Sequence, residues 1–72
     1  MNINYDPKTD SLYIHLSAKP GVDSRVLSDN IVVDIDEKDE PVGIDIQHAG
    51  KTIDLTELVA RNLPVKKGGE PA

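Results

Sequence analysis

The 72-residue chain contains no cysteine, no phenylalanine and no tryptophan. The lack of cysteine excludes disulfides, thiol nucleophiles and sulfur-ligated zinc. Tyr5 and Tyr13 are the only aromatic residues, so the interior has to be built almost wholly from isoleucine, valine and leucine. Small domains often supplement such a thin core with disulfides, a metal or self-association. Because disulfides are excluded here, self-association or a metal remains open.

The sequence also lacks a long apolar run and a cluster of basic residues. It carries 13 acidic against 8 basic side chains, which gives a formal charge of −5. An acidic chain with scattered cations repels phosphate backbones, so we expect no nucleic-acid partner and favour a basic protein instead. No apolar segment has the length of a signal peptide core or a membrane span. We therefore expect a cytoplasmic protein with no membrane partner.

The length allows one hydrophobic core. We predict a single domain over residues 1–63 and a disordered tail over residues 64–72, which include paired glycines and lysines. Apolar and polar residues alternate at the two-residue period of a β-strand in several segments. Strands are predicted over residues 1–5, 11–17, 22–27, 31–36 and 41–47. The facing of residues 22–27 is not assigned, because their alternation is weak.

The apolar pattern predicts the register of two hairpins. Placing Tyr5 opposite Leu12 puts Ile3 opposite Ile14, so both pairs are apolar. A four-residue loop gives the second hairpin apolar pairs as well. Its predicted pairs are Ile35 with Val42, Val33 with Ile44 and Ile31 with Ile46. Gly43 interrupts this hairpin, and a glycine inside a strand suggests a covering group, for which Tyr13 is a candidate.

The period becomes helical after the last predicted strand. Asp54 is a candidate N-cap with Glu57 three residues later, and Pro64 limits the helix to about residues 55–62. The stripe that should pack on the sheet consists of Leu55, Leu58, Val59 and Asn62. These elements predict an α+β fold, a small antiparallel sheet of hairpins with four to five strands, packed on one face by a single C-terminal α-helix.

Several segments occur in an order found in a known family. They are Tyr5-Asp6-Pro7, Asp10-Ser11-Leu12-Tyr13-Ile14 with Leu16, Ile31-Val32-Val33-Asp34 with Asp36, and Val42-Gly43-Ile44-Asp45-Ile46. In this order they resemble the YuzE-like family of small bacterial domains of unknown function, over about residues 1–59. The resemblance implies no established activity, cofactor or catalytic residue, and it suggests an antitoxin-like pairing with a toxin-like protein. The chain departs from the family where Asp39-Glu40-Pro41 replaces a commoner glycine and where Asp45 replaces a commoner glutamate, which leaves the turn type open.

The polar side of the predicted sheet is the best candidate surface for binding. Its candidate residues are Tyr13, His15, Asp34, Asp36, Asp45 and Gln47, joined by His48 in the loop that follows. Converging carboxylates and imidazoles bind divalent cations, but His15 meets Asp34 or Asp45 only if their strands are neighbours. The plainer interpretation, which we favour, is a solvated sheet face.

The sequence contains no recognisable combination of catalytic residues. His48 lies beside Gly50 in a loop, where binding residues often occur, but one candidate base does not make a mechanism. We predict no catalytic residue, no cofactor and no defined metal site, and we favour a protein that is not an enzyme.

Three functional hypotheses follow. The leading one is a protein–protein interaction module that homodimerises or caps another protein, in its sharpest form an antitoxin-like partner of a basic, toxin-like protein. Exposed edge strands could also accept a strand from another chain. The alternative is a metal- or small-ligand-binding domain that uses the polar face. The third is a domain that acts only by oligomerising.

Overall fold

The computed structural model describes residues 1–64 and contains five strands and one short helix. The elements are β1 (Asn2–Asp6), β2 (Ser11–His15), β3 (Asp23–Ser28), β4 (Ile31–Ile35), β5 (Pro41–Ile46) and α1 (Ala49–Thr52). The strands form one antiparallel sheet in the order β1-β2-β5-β4-β3. The predicted α+β fold is confirmed. Apart from Pro64, the predicted tail over residues 64–72 lies outside the described residues.

The first predicted hairpin register is confirmed, and the second is confirmed except at one pair. Tyr5 lies opposite Leu12, and the pairs Ile31 with Ile46 and Val33 with Ile44 also form. Ile35, however, lies opposite Pro41 rather than Val42. The following turn explains this difference, because the Asp36 amide donates to the Glu40 carbonyl at 2.9 Å and leaves a loop of three residues, not four.

The last loop residue, Asp39, has a positive φ of 63°. A three-residue hairpin loop requires such a left-handed residue, and glycine adopts this conformation most easily. In this chain an aspartate adopts the left-handed geometry that the turn requires. Because the loop is one residue shorter than predicted, the ladder shifts register, and Val42 becomes an extra residue on β5.

The bulge changes the surroundings of Val42. The sequence predicted Val42 on the same face as Ile44 and Ile46, but its side chain is buried beside Gly21 and lines a cavity with Tyr13 and Asp34. The prediction for this side chain was wrong, because an extra residue in a strand interrupts the alternation of facing.

The helix lies earlier in the chain than predicted. α1 spans Ala49–Thr52, and residues 53–64 contain no helix. Asp54 accepts hydrogen bonds from the backbone amide of Thr56 at 2.9 Å and from its hydroxyl at 2.6 Å, which forms a local turn. Such side-chain bonds compete with helix formation. An eight-residue helix needs tertiary packing to be stable, yet Leu58 in its predicted stripe is 82% exposed.

The core is small and lies on the side of the sheet that carries α1. Ala49 packs against Leu12 and Ile46, and Ile53 adds a further contact. The buried apolar residues of the described chain are Leu12, Ile35, Val42, Ile46 and Ala49. Within residues 1–64, no helix is long and apolar enough to cross a membrane.

Candidate functional site

Tyr13 and Asp34 meet on the polar face of the sheet, across the central strand. They belong to β2 and β4, which flank β5, and Gly43 of β5 lies opposite Asp34. A Cβ atom placed on Gly43 would overlap the hydroxyl oxygen of Tyr13 and lie 2.5 Å from its Cζ. Because glycine leaves this space empty, the Tyr13 hydroxyl reaches Asp34 and donates to its Oδ2 at 2.6 Å. The predicted cover of Gly43 by Tyr13 is confirmed.

Hydrogen bonding sets the charge of this pair. Asp34 also accepts a hydrogen bond at Oδ1 from the Ser24 hydroxyl, at 2.8 Å. The bonds from Tyr13 and Ser24 lower the pKa of Asp34 and outweigh the effect of its partial burial. The bond to Asp34, followed by burial and the charges of Asp34 and Asp45, raises the pKa of Tyr13 to about 12. At neutral pH the carboxyl group is therefore ionised and the phenol is protonated.

An open cavity of about 660 Å³ lies beside this pair. His15 contributes to its wall, and its ring centroid lies 4.5 Å from that of Tyr13 with the two planes at 68°. The loop before β3 forms the other side. We call this space the Tyr13 cavity, and its lining includes Tyr13, His15, Lys19, Gly21, Ser24 and Asp34.

Of the four remaining candidates, Asp45 lies nearest to the cavity, whereas Gln47 and His48 lie away from it. Asp45 is opposite Tyr13 in the β2–β5 ladder, whereas His15 is opposite Gly43. Gln47 and His48 follow the other end of β5, roughly 16 Å of strand from the Gly43 end. His48 has a positive φ of 51°, and its Nδ1 lies 3.0 Å from the Asn30 side-chain oxygen. The sheet therefore brings Tyr13, His15, Asp34 and Asp45 to one face and keeps Gln47 and His48 at its far end.

Asp36 is buried in the hairpin loop after β4. Asp36 is only 5% exposed, and its Oδ1 accepts hydrogen bonds from the backbone amides of Lys38 at 2.8 Å and Glu40 at 3.0 Å. The hydrogen bond from Glu40, followed by that from Lys38, lowers the pKa of Asp36. The carboxylate therefore contacts its own turn and does not line the Tyr13 cavity.

The side chains that line the cavity are chemically mixed. In the part of the chain that the structure describes, no group of three histidine, aspartate or glutamate side chains is close enough to hold a metal ion. The Tyr13 cavity instead combines two rings, hydroxyl groups and a carboxylate. Such a surface can accept hydrogen bonds from a positively charged group and pack against it.

Sequence reasoning missed Ser24 and Lys19. Ser24 lies opposite Asp34, which places both on the polar face. Counting back from the turn at Asp29 and Asn30 would have placed Ser24 opposite Ile35, on the wrong face, because a tight turn fixes the register only while the ladder stays regular. The register shift between Val26 and Ser28 interrupts that count and explains the weak alternation of residues 22–27. No sequence signal places the Lys19 loop over the cavity.

Comparison with known protein families gave a match over most of the chain. A family model described as "Protein of unknown function (DUF2283)" matches residues 2–49, which span all five strands and the start of α1. The match agrees with the resemblance to a family of small domains of unknown function. No curated protein matches the chain. No solved structure matches it either.

Proposed function

This chain belongs to the DUF2283 family of proteins of unknown function, and we propose that it is a protein–protein interaction module that pairs with a second copy of itself. One observation carries the proposal. The apolar face of the five-stranded sheet is covered only in part by the rest of the described chain.

Apolar side chains from four neighbouring strands form a row across this face. The register places Ile3, Ile14, Ile44 and Val33 side by side, and Arg25 of β3 continues their line. We call the four apolar residues the apolar row. Ile3 is 42% exposed and the other three are half-buried. The adjacent row is better covered, because α1 packs Ala49 over Leu12 and Ile46.

A second copy would supply the layer that the fold lacks. Domains usually bury a sheet face against a second layer of structure, and a four-residue helix provides little of that layer. Two sheets can stack face to face about 10 Å apart. Five strands spaced about 4.8 Å apart and about 18 Å long have a face of about 430 Å² per copy, of which α1 already covers the part over Leu12 and Ile46. Two such faces therefore bury less than about 900 Å², below the ~1,000 Å² expected of a stable biological interface.

Exposed residues after α1 extend the same surface. Leu55 is 41% exposed and Leu58 is 82% exposed, and both line an apolar groove of about 450 Å³ with Ile3 and Ile14. Their side chains would add to the area buried when two faces stack, which brings the interface within the range of weak but specific dimers.

The distribution of charge permits this pairing despite the net charge of −5. On the apolar face the charged strand residues are Asp23 and Arg25, both on the edge strand β3. Asp6, Asp34 and Asp45 occupy strand positions that face the opposite side. Stacking through the apolar row therefore keeps most of the sheet's like charges apart, and repulsion between the copies stays small.

Mass measurement in solution tests the proposal. Light scattering with gel filtration is expected to show a dimer for the unchanged protein and a monomer for Ile14→Asp, which places a charge in the centre of the apolar row. Val26→Asp is the matched control, because Val26 is 78% exposed on the other face and this variant should remain a dimer. The melting temperature of the unchanged protein should also rise with protein concentration. A monomer up to near-millimolar concentration, with a melting temperature independent of concentration, would show that the proposal is wrong.

A second candidate function is antitoxin-like capping of a basic protein by the polar face, in the cytoplasm. The segregation of Asp6, Asp34 and Asp45 to that face supports it, because an acidic surface attracts a basic partner. Co-expression with the product of the adjacent reading frame should give a complex whose affinity falls as salt is added. A complex that is indifferent to salt, or no complex, would count against this role.

A further inference from the structure

The carboxylate of Asp34 is a half-buried negative charge held by neutral groups. Its two hydrogen-bond donors are the hydroxyls of Tyr13 at 2.6 Å and Ser24 at 2.8 Å. Within residues 1–64, the only ion pair shorter than 4.0 Å joins Arg25 to Asp39, so no cationic side chain pairs with Asp34. The described chain therefore solvates the charge of Asp34 without neutralising it.

The geometry leaves this charge open to a ligand. A carboxylate has about four lone-pair sites, and two of those of Asp34 are occupied. Tyr13 and His15 add aromatic surface to the same cavity, and cations are attracted to aromatic faces. Asp45 lies opposite Tyr13 on the same face, so its carboxylate reinforces the negative potential there.

We propose that the Tyr13 cavity binds a guanidinium group, presented by an arginine side chain of a basic partner protein. A guanidinium is planar, donates two parallel hydrogen bonds to one carboxylate and stacks on aromatic rings, which an ammonium group does less well. Lys19 also lines the cavity, and its positive charge opposes an incoming cation without forming an ion pair with Asp34 in the described chain. The site lies on the face opposite the apolar row, so this inference is independent of dimerisation; it rests on the second candidate function, the binding of a basic partner by the polar face.

The two tyrosine and two histidine rings of the chain make a direct test available. Tyr13 and His15 line the cavity, whereas Tyr5 and His48 lie outside it, so each ring type has one reporter and one internal control. Titration with N-acetyl-arginine amide, followed by NMR at constant ionic strength, should shift the Tyr13 and His15 signals in a saturable way. The midpoint should be in the millimolar range expected of a small fragment, and the Tyr5 and His48 signals should not saturate with it.

Two variants and one competing probe complete the test. Asp34→Asn should weaken binding about tenfold, because it removes the charge that orients the guanidinium. Lys19→Gln should strengthen binding about two- to threefold by removing a positive charge from the cavity wall, and it changes only an exposed loop residue. N-acetyl-lysine amide should bind more weakly than the arginine probe.

The inference is overturned by absence of a saturable shift, by an equal response to the lysine probe, or by unchanged binding in both variants. Any of these results leaves the dimer proposal standing, because solution mass is measured without the probe.

Discussion

The Tyr13 hydroxyl crosses the central strand of the sheet and donates to Asp34 at 2.6 Å, directly above Gly43. One side-chain contact thereby connects β2 to β4, which share no backbone hydrogen bonds because β5 lies between them. The contact depends on a glycine at position 43, a carboxylate at position 34 and the register of both ladders. This one hydrogen bond therefore forms only when β2, β5 and β4 pair in the observed register.

Gly43→Ala should destabilise the protein. The added methyl group overlaps the Tyr13 ring, so the ring has to swing away and lose its bond to Asp34. We expect a loss of about 1–3 kcal/mol in the free energy of unfolding, measured by urea denaturation. In a Tyr13→Ala background the same alanine should cost much less, because the overlap is gone. Additive effects in this double-mutant cycle would contradict the position of the ring over Gly43.

Alkaline pH should release the contact between Tyr13 and Asp34. The pKa of Tyr13 is raised from 10.0 to about 12, first by its hydrogen bond to Asp34. Because the folded-state pKa lies above the unfolded one, the stabilisation is complete below pH 10.0 and is lost as pH rises through about 12. An NMR titration of the Tyr13 ring measures this value, and Asp34→Asn should return the pKa towards 10.0. A Tyr13 pKa of 10.0 in the unchanged protein would show that the bond is absent.

Asp36→Ala should weaken the hairpin between β4 and β5. It removes the acceptor of the amides of Lys38 and Glu40, and the melting temperature should fall by about 5 °C in a domain of this size. Asp36→Asn keeps an acceptor oxygen and should cost less. Since the pKa of Asp36 is lowered from 3.8, its stabilisation is present above pH 3.8 and is lost as pH falls through the lowered value. Equal melting temperatures for Asp36→Ala and the unchanged protein would contradict this role.

Leucine truncations should separate the observed core from the predicted helix. Leu12 is 8% exposed and packs under Ala49, so Leu12→Ala should cost about 2–4 kcal/mol in the free energy of unfolding. Leu58 is 82% exposed, so Leu58→Ala should change that free energy by less than about 0.5 kcal/mol. Both are measured by chemical denaturation at the same low protein concentration, so that self-association does not contribute to the difference. A large loss of unfolding free energy for Leu58→Ala would contradict the exposed position of Leu58 and support the helix predicted over residues 55–62.

Local patterns predicted most of the sheet. The alternation of Leu12 and Ile14 with polar residues was sufficient for the first hairpin, because an antiparallel register that pairs apolar side chains has few competitors. The same reasoning predicted Ile31 opposite Ile46. The glycine at position 43 also led to the correct prediction that Tyr13 covers it. It failed at Ile35, where a shorter loop shifted the pairing by one residue.

The candidate site was predicted in part. Tyr13, His15 and Asp34 were identified from their common face, but their convergence required β2 and β4 to flank β5, which no local pattern specifies. Ser24 and Lys19 were missed because they come from an irregular strand and a loop. The helix was misplaced because its capping signals at Asp54 also suit a local turn.

Within the regular stretches of strand, the sequence by itself determined which side chains share a face, because the two-residue period of a strand is a property of the backbone and needs no partner. The irregular pairing at Val42 and between Val26 and Ser28 changed the facing there. Only the tertiary structure decided which strands are neighbours, how far α1 covers the apolar face and which polar groups meet at the Tyr13 cavity. Those outcomes depend on loop length and on packing between distant segments, where small differences in free energy select one arrangement among several that the same pattern allows.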